Sequence, residues 1–552
     1  MKRKTLYWIV GVVLVLCALI AIAMGCGDAI LTHTIDSQLK SRLEKLDSVR
    51  ICYGDLDVRL GAGIIRLEDV EFCSEKTDSL AADKPGVAAK IKKVEVGHIN
   101  LLRTLRTGLL SLDYVAVEKP QVVLHTSKQK PVKVQDEAIK DSIEAHRALA
   151  REKLAGYLSE VTIAEVICED ACISVKNIDT RMSVKVDNVS ASVERMGYKI
   201  ADATLYYADS LYTLSAKDLS FVSSNGLFGI ELKELHTAYA GAVVLEGVHL
   251  HHRVKKTELG KASGKVPVTW ADVHLTQVRL SPLNIVRQAM NHCVCIDTLS
   301  LKGKDAHIFR DLRYVPKKLY GMPQEGLMKV PIPMSVKTLH ADLLEFTTEV
   351  QLKYGGVGTL QMQHIGLAAS NLSNEQKAVA KLQVKCKMAG GNADIRMTMT
   401  NDNACHFGVQ AHMTDLKVND FDKFLRPMLG MSAVGNIHDV KTSFKGDRKR
   451  ATGELCVLYD GMKVELHKEE IPMERLRKNA GLINTFAPTV IYKSNPRGKN
   501  KEPYVAQISY NRNPKKNFAS YLSMTMTDGL IHSMSQESIY KMIQNKMSEA
   551  QK

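Results

Sequence analysis

Apolar and polar residues alternate along most of the chain after residue 50. In the first part of this stretch the apolar positions lie two residues apart within short runs, as at Val58, Leu60, Ile65, Leu67, Val70 and Phe72. A period of two is typical of β-strands with one buried face, and Gly61–Gly63 supplies a turn between the first two runs. The pattern predicts antiparallel β-structure, interrupted by helices at about 136–160, 283–290, 420–429 and 469–486.

Segments of this strand pattern resemble one another. Residues 112–124 align without gaps on residues 163–175, and their first half aligns on residues 296–301, with a weaker copy at residues 336–346. Each full copy contains two apolar runs joined by a short linker, which predicts two strands with a tight connection. Such recurring strand pairs predict a sheet that grows by stacking into an elongated body. Chance matching of apolar residues in a β-rich chain is the competing explanation.

The N-terminus has a different pattern. Met1–Lys4 carries three basic side chains, and residues 6–24 contain no charge. As a helix this run is roughly 29 Å long, which is enough to cross a bilayer. It predicts an uncleaved anchor with residues 1–5 in the cytoplasm, a helical stalk at 25–49, and the rest of the chain outside the cytoplasm. The alternative is a lipoprotein that is cleaved before Cys26 and acylated on that cysteine.

Composition narrows the class of protein. The chain has 552 residues, 45% hydrophobic and 24% charged, which is typical of a folded protein rather than a disordered one. Its net charge is +15, and residues 441–552 hold 20 Lys and Arg against 11 Asp and Glu. Because export removes nucleic acid as a partner, this basic region predicts either contact with anionic lipid headgroups or a solvated face. The cysteine pairs Cys168/Cys172 and Cys293/Cys295 are predicted to be small core residues rather than disulfides.

The candidate catalytic motifs are incomplete. The chain contains no Gly-x-Ser-x-Gly, no phosphate-binding loop and no His-Glu-x-x-His. Ser37–Lys40 and Ser127–Lys130 have the Ser-x-x-Lys spacing but lack its partner motifs. The three histidines of His249–His252 have no acidic residue or cysteine beside them in the sequence to complete a tetrahedral metal site, so the segment is predicted to be a solvated strand end. We expect no catalytic residues, no metal and no cofactor.

Several segments together resemble the AsmA-like proteins, an envelope family of diderm bacteria that includes AsmA and TamB. Near the N-terminus the resemblance is carried by the basic start, the single span, the stalk, and the segments Lys93–Leu102 and Leu109–Leu124. Further segments similar to C-terminal parts of Bacteroidota members are Ile308–Asp311, Phe421–Leu425, Val434–Ile437 and Gly453–Leu466. The likeness covers most of the chain, which is far shorter than the largest members of the family.

The resemblance implies a mainly β fold in which an elongated, curved antiparallel sheet forms an open apolar groove, with a few accessory helices. The groove region is expected at 50–415 and a basic C-terminal region at 416–552. Alternation of apolar and polar residues is compatible with both an open groove and a closed sandwich, so the sandwich is the alternative fold. The groove-lining candidates are repeat positions predicted to face inward: Val115, Val117, Val166, Cys168, Leu299, Leu301, Leu339 and Ala341.

The function implied by the resemblance is that of a membrane-anchored periplasmic protein. Such a protein is expected to bind phospholipid or another envelope lipid, or to transfer it between the inner and outer membranes. The alternative is a non-catalytic structural factor that assists the assembly of outer-membrane proteins. Lipid and the inner membrane are thus the expected partners.

Overall fold

The computed structural model describes most of residues 50–541, together with residues 36–37, 39–41 and 43. Within 50–541 the description excludes residues 60–61, 75–84, 100–103, 105, 128–157, 201–203, 207–211, 239–240, 264–268, 284–292, 315–318, 352–355, 468–491, 498–500 and 538–539. The predicted anchor, the alternative acylation site and the helix predicted at 469–486 lie outside the described residues. So do all but the first residue of the helix predicted at 283–290. Among the helices in the described part of the chain, none is long and apolar enough to cross a membrane.

The chain forms two compact units, Met1–Thr237 and Ala238–Lys552. Both are built mainly of β-strands, as the alternating pattern predicts. The boundary expected at residues 415/416 falls inside a strand, Phe407–Lys417, that is paired along its length within the second unit.

The first unit contains eleven strands in its described part. In chain order they are β1 (Arg50–Cys52), β2 (Asp55–Arg59), β3 (Ile64–Cys73), β4 (Gly86–Gly97), β5 (Leu109–Glu118), β6 (Gln121–Thr126), β7 (Glu160–Asn177), β8 (Ser183–Lys199), β9 (Thr204–Tyr206), β10 (Tyr212–Val222) and β11 (Phe228–Ala238). Most neighbours pair antiparallel, through the hairpins β2/β3, β7/β8 and β10/β11. Strand β7 begins at Glu160, the last residue of the helix predicted at 136–160, and residues 136–157 of that prediction lie outside the described residues.

The prediction of a purely antiparallel sheet is wrong where the repeat occurs. Strand β7 runs parallel to both β5 and β6, with Val115 opposite Val166 and Val122 opposite Ile173. Each pair is 51 positions apart, which is the alignment offset of the two sequence copies. The copies therefore lie side by side and in register. Parallel neighbours need a long crossover between them, and the segment between β6 and β7 provides that length.

A line of β-bulges crosses this sheet. Four residues with positive φ mark this line: Lys119 (49°) between β5 and β6, Asp170 (52°) on β7, Asn188 (49°) on β8 and Asp218 (52°) on β10. They lie where the β7/β8 and β8/β10 rungs are interrupted, and where β5 passes into β6 opposite β7. A bulge adds one residue to a strand, bends it and increases its twist. We call this line the crease.

The crease corrects the interpretation of the repeat as two strands joined by a connection. In the second copy β7 is one continuous strand, and the predicted linker is the bulge at Asp170. Because one extra residue reverses the alternation, the apolar positions change from even numbers, at Val166 and Cys168, to odd numbers, at Ile173 and Val175. The change of parity keeps both halves of the strand apolar on one face.

The core of the first unit includes part of the predicted stalk. Leu39 and Leu43 are helical and buried, and they belong to the same cluster as Val96 and Leu110, which have no exposed surface. Asp36, on the same segment, accepts a 2.8 Å hydrogen bond from the hydroxyl of Tyr53. This part of the segment therefore packs on the sheet instead of standing free as a spacer.

The second unit contains eleven strands and four α-helices in its described part. They are β12 (Ala242–His252), α1 (Leu259–Ala262), β13 (Thr269–Ser281), β14 (Val294–Asp311), α2 (Pro323–Met328), β15 (Met334–Gln351), β16 (Val357–Ser373), β17 (Val379–Met388), β18 (Gly391–Thr400), β19 (Phe407–Lys417), α3 (Asp422–Leu429), β20 (Met431–Gly446), β21 (Arg450–Leu466), β22 (Val505–Asn511) and α4 (Phe518–Met534). Helix α3, preceded by a 3₁₀ turn at Val418–Phe421, matches the helix predicted at 420–429.

The strands of this unit pair in chain order from β12 to β22. All of these pairs are antiparallel except β14/β15, which is parallel with Ile296 opposite Val336 and Leu299 opposite Leu339. These residues belong to the third copy and the weaker copy of the repeat, so the copies again lie side by side in register. The crossover that makes the parallel pairing possible contains α2.

Helix α4 covers the apolar face of the last strands. It packs on β21 and β22, where Leu455 and Val457 have at most 1% of their surface exposed. Tyr521 of the helix is buried and meets the ring of Phe407 edge to face at 5.6 Å. The helix begins after Asn517, whose side chain accepts a hydrogen bond from the backbone of Ser520. This end of the sheet therefore has a closed core.

Candidate functional site

The apolar candidates of the second unit belong to two rows of side chains that cross the sheet. Residues directly opposite one another on paired strands point to the same face, so pairing partners can be followed from strand to strand. The first row consists of Leu280, Leu299, Leu339, Ala369, Leu382, Met397, Val409 and Phe444. The second consists of Val278, Leu301, Ala341, Leu367, Val384, Ile395 and Ala411. We call them the apolar rows.

Burial along the apolar rows changes from one end to the other. Leu299, Leu339 and Ala341 are half-buried, whereas Val409 and Phe444 are buried. The described helices account for this gradient, because α3 packs against β16 and β20 and α4 packs against β21 and β22. Side chains on β14 and β15 thus keep part of their apolar surface accessible. The structure brings together all four candidates of this unit, with Leu301 opposite Ala341.

The four candidates of the first unit also form neighbouring pairs. Val115 lies opposite Val166, and Val117 lies opposite Cys168. Val115 is buried in the closed cluster that includes Leu39, so it is a core residue rather than the wall of an open groove. Val117 and Cys168 are half-buried. Burial raises the pKa of the Cys168 thiol, and the charge of Glu169 raises it further, so this side chain stays protonated and contributes apolar surface.

A cleft of about 540 Å³ lies on the second unit's sheet and is lined by residues from β15 to β20. Most of its lining residues alternate with members of the apolar rows and therefore face away from them: Thr338, His340, Ala368, Ser370, Lys381, Gln383, Arg396, Thr398, Gln410, Ser443 and Lys445. Three of these side chains are cationic, apart from the histidine, and none is acidic. The cleft is also lined by five members of the first apolar row, so it combines polar side chains with apolar surface: Ala369, Leu382, Met397, Val409 and Phe444.

Several side chains of the basic C-terminal region make internal contacts. Arg448 pairs with Glu325 at 2.7 Å, and Arg512 donates a 2.6 Å hydrogen bond to the backbone oxygen of Tyr320. The guanidinium of Arg497 lies 3.8 Å and 3.7 Å from the ring centres of Tyr492 and Tyr504. Part of the positive charge in this region therefore stabilises the fold itself.

One residue of each incomplete catalytic motif has another partner. Lys40 pairs with Asp36 at 2.9 Å, and Ser127 donates a 2.6 Å hydrogen bond to Asp179. Cys168, Cys172, Cys293 and Cys295 are thiols and form no disulfide. Cys295 is exposed, however, and the prediction that it is a core residue is wrong.

The histidine segment has an acidic partner that the sequence does not reveal. Asp272 lies on β13, and its carboxylate is 2.6 Å from Nε2 of His249 on β12. His274, two residues further along β13, stacks on the same imidazole at 4.1 Å. These three side chains form one of the possible ligand groups in the described part of the chain, with ligand atoms all within 4.8 Å of one another.

No protein-family model matches the chain, and no curated protein matches it.

Proposed function

We propose that this protein is an exported, membrane-anchored lipid-binding protein of the AsmA-like kind, and that its apolar rows contact acyl chains. The observation that carries the proposal is the accessible stretch of the apolar rows on β14 and β15, where Leu299, Leu301, Leu339 and Ala341 are half-buried. The charge-free run at 6–24 and the resemblance of several segments to AsmA-like proteins support export and anchoring.

The cost of hydrating the exposed part of the apolar rows favours a ligand that covers it. Exposed apolar area costs roughly 25 cal/mol per Å², so a continuous patch of about 400 Å² costs about 10 kcal/mol when water covers it. Neighbouring strands are about 4.8 Å apart, so the apolar rows extend about 19 Å from β13 to β17. That length is comparable with one leaflet of a bilayer, whose whole hydrocarbon core is about 30 Å thick. Acyl chains therefore fit the rows in both chemistry and length.

Site-specific photocrosslinking tests this proposal with matched positions on one strand. A photoreactive phenylalanine analogue at Leu339 or Ala341 faces the apolar side, whereas the same analogue at His340 faces the polar side. Irradiation of the full chain in its native membrane, followed by mass spectrometry, should give lipid adducts at Leu339 and Ala341 only.

Two results would contradict the proposal. Equal lipid adducts at His340 would mean that the reagent samples lipid without regard to the face of the sheet. Adducts to other proteins alone at Leu339 and Ala341 would favour the alternative role in the assembly of outer-membrane proteins.

A further inference from the structure

Histidines and carboxylates alternate across three strands of the second unit. His249 on β12 lies opposite His274 on β13, which lies opposite Asp305 on β14. In the next row of pairing partners, His251 lies opposite Asp272, which lies opposite His307. Because opposite residues share a face and positions two apart share it as well, all six side chains project from one side of the sheet.

We propose that His249, Asp272 and His274 bind one divalent transition-metal ion, of which zinc is the best match. Two imidazoles and one carboxylate are ligands that zinc accepts, at about 2.0–2.2 Å from the metal. A tetrahedral site with these bond lengths places its ligand atoms about 3.3 Å from one another. The three side chains offer atoms that all lie within 4.8 Å of one another, so the site needs movements of about 1 Å.

The rings are positioned for such a movement. The imidazoles of His249 and His274 are nearly parallel, with 4.1 Å between their centres and 12° between their planes. The bond from Cβ to a histidine ring has a broad rotational minimum, so modest rotation makes the two nitrogen lone pairs converge. Asp272 then exchanges its 2.6 Å contact with Nε2 of His249 for a bond to the metal.

Asp305 supplies the support that metal-binding histidines usually have. Its carboxylate is 2.8 Å from Nδ1 of His274. A neutral His274 that donates a hydrogen bond from Nδ1–H to Asp305 presents the Nε2 lone pair to a metal. The carboxylate then fixes the orientation of the ring. Asp305 is therefore a positioning residue in this proposal and not a ligand.

The site is accessible and has room for a fourth ligand. The side chains of His249, Asp272 and His274 are 30%, 32% and 45% exposed, so an ion reaches them from solvent. With three protein ligands, water or an external ligand completes the coordination, as in zinc sites that keep an open position. This inference does not depend on lipid binding, since the ligands lie outside the apolar rows.

A second histidine–aspartate pair gives a matched control. Nε2 of His412 is 2.6 Å from Asp439, the same distance as in the pair formed by His249 and Asp272. Within the described residues, this pair belongs to no group of three possible ligands. If the pair formed by His249 and Asp272 only stabilised the sheet, its substitution should change the affinity for zinc no more than substitution of His412 does.

The test is zinc titration of the full chain, purified in detergent without a polyhistidine tag, against a chromophoric zinc chelator. We expect one zinc ion per chain, at least a tenfold loss of affinity in Asp272→Asn and in His274→Gln, and a change of less than twofold in His412→Asn. Asp305→Asn should weaken binding about 10- to 100-fold, because it removes the support of a ligand.

The proposal is overturned if the unmodified chain binds no stoichiometric zinc, or if His412→Asn loses as much affinity as Asp272→Asn. Circular dichroism in zinc-free buffer shows whether each variant folds. A further measurement needs no variant, because a bound ion raises the melting temperature of the unmodified chain. Zinc should raise this temperature and magnesium should not, and an equal response to both ions also refutes the site.

Discussion

Replacement of alanine by tryptophan at two positions of one apolar row distinguishes an open face from a closed core. Ala341 and Ala411 both belong to the second row, but Ala341 is half-buried and Ala411 is 7% exposed. At Ala411 the indole has to displace packed neighbours, and overpacking costs about 1–3 kcal/mol. At Ala341 it enters accessible space, and the expected change is within about 0.5 kcal/mol, as for other substitutions outside a packed core.

The measurement is differential scanning calorimetry of the full chain, paired with mass spectrometry of the lipid that co-purifies. For a unit of this size about 1 kcal/mol shifts the melting temperature by about 2–4 °C. Ala411→Trp should therefore lower it by about 2–12 °C, while Ala341→Trp should leave it nearly unchanged and reduce the bound lipid. An equal fall in melting temperature for both variants would mean that the face over β15 is closed like a sandwich, and would refute the reasoning.

Two further predictions concern stability. A methyl group added by Gly453→Ala meets the backbone oxygen of Ser443 and should cost about 1–3 kcal/mol of stability. In α2 the methyl group added by Gly326→Ala meets nothing within 4 Å, so this substitution should stabilise the helix by about 0.5–1 kcal/mol. Urea unfolding measures both changes. The pKa of Glu95 is held below its ordinary value, first by the 2.6 Å hydrogen bond from Tyr114, so Glu95→Gln should destabilise the protein at pH 7. A carboxylate whose pKa is lower in the folded state stabilises the fold above its unfolded pKa, and this stabilisation is lost as the pH falls through its folded pKa. The difference in unfolding free energy between wild type and Glu95→Gln should therefore shrink below about pH 4.5. A difference that is constant with pH would contradict this assignment.

The strands could be predicted from alternation because a sheet with one apolar face needs little else. Their direction could not. The matching of residues 112–124 with residues 163–175 is compatible with stacked hairpins or with parallel neighbours, and only the crossover between β6 and β7 decides between them. The change of parity at Asp170 is visible in the sequence, but a bulge and a turn both produce it.

Helix α4 was not predicted, for a related reason. Several of its buried residues are polar, among them Thr525, Asp528 and His532, so polar side chains do not mark an exposed side and the helix lacks the single polar face that reveals a surface helix. The signals available in the sequence are Asn517 as a capping residue and the absence of Pro from residues 518–534.

The histidine site illustrates a limit of reasoning from sequence spacing. His249 and Asp272 are 23 positions apart, and their proximity depends on the register between β12 and β13. A ligand contributed across a strand pair leaves no spacing motif in the sequence. The sequence therefore predicts a solvated strand end here, because it does not show the acidic partner.

The crease also constrains how the chain can change length. Deleting Asp170 alone would restore strict alternation in β7 and turn Ile173 and Val175 toward the opposite side of the sheet. Adjacent strands carry their own extra residue at the same level, so the shortened strand would be the one unbent member of a bent set. Single-residue deletions in such a sheet are more disruptive than the exposure of the deleted side chain suggests, whereas adding or removing a whole in-register repeat leaves the sequence of bends intact.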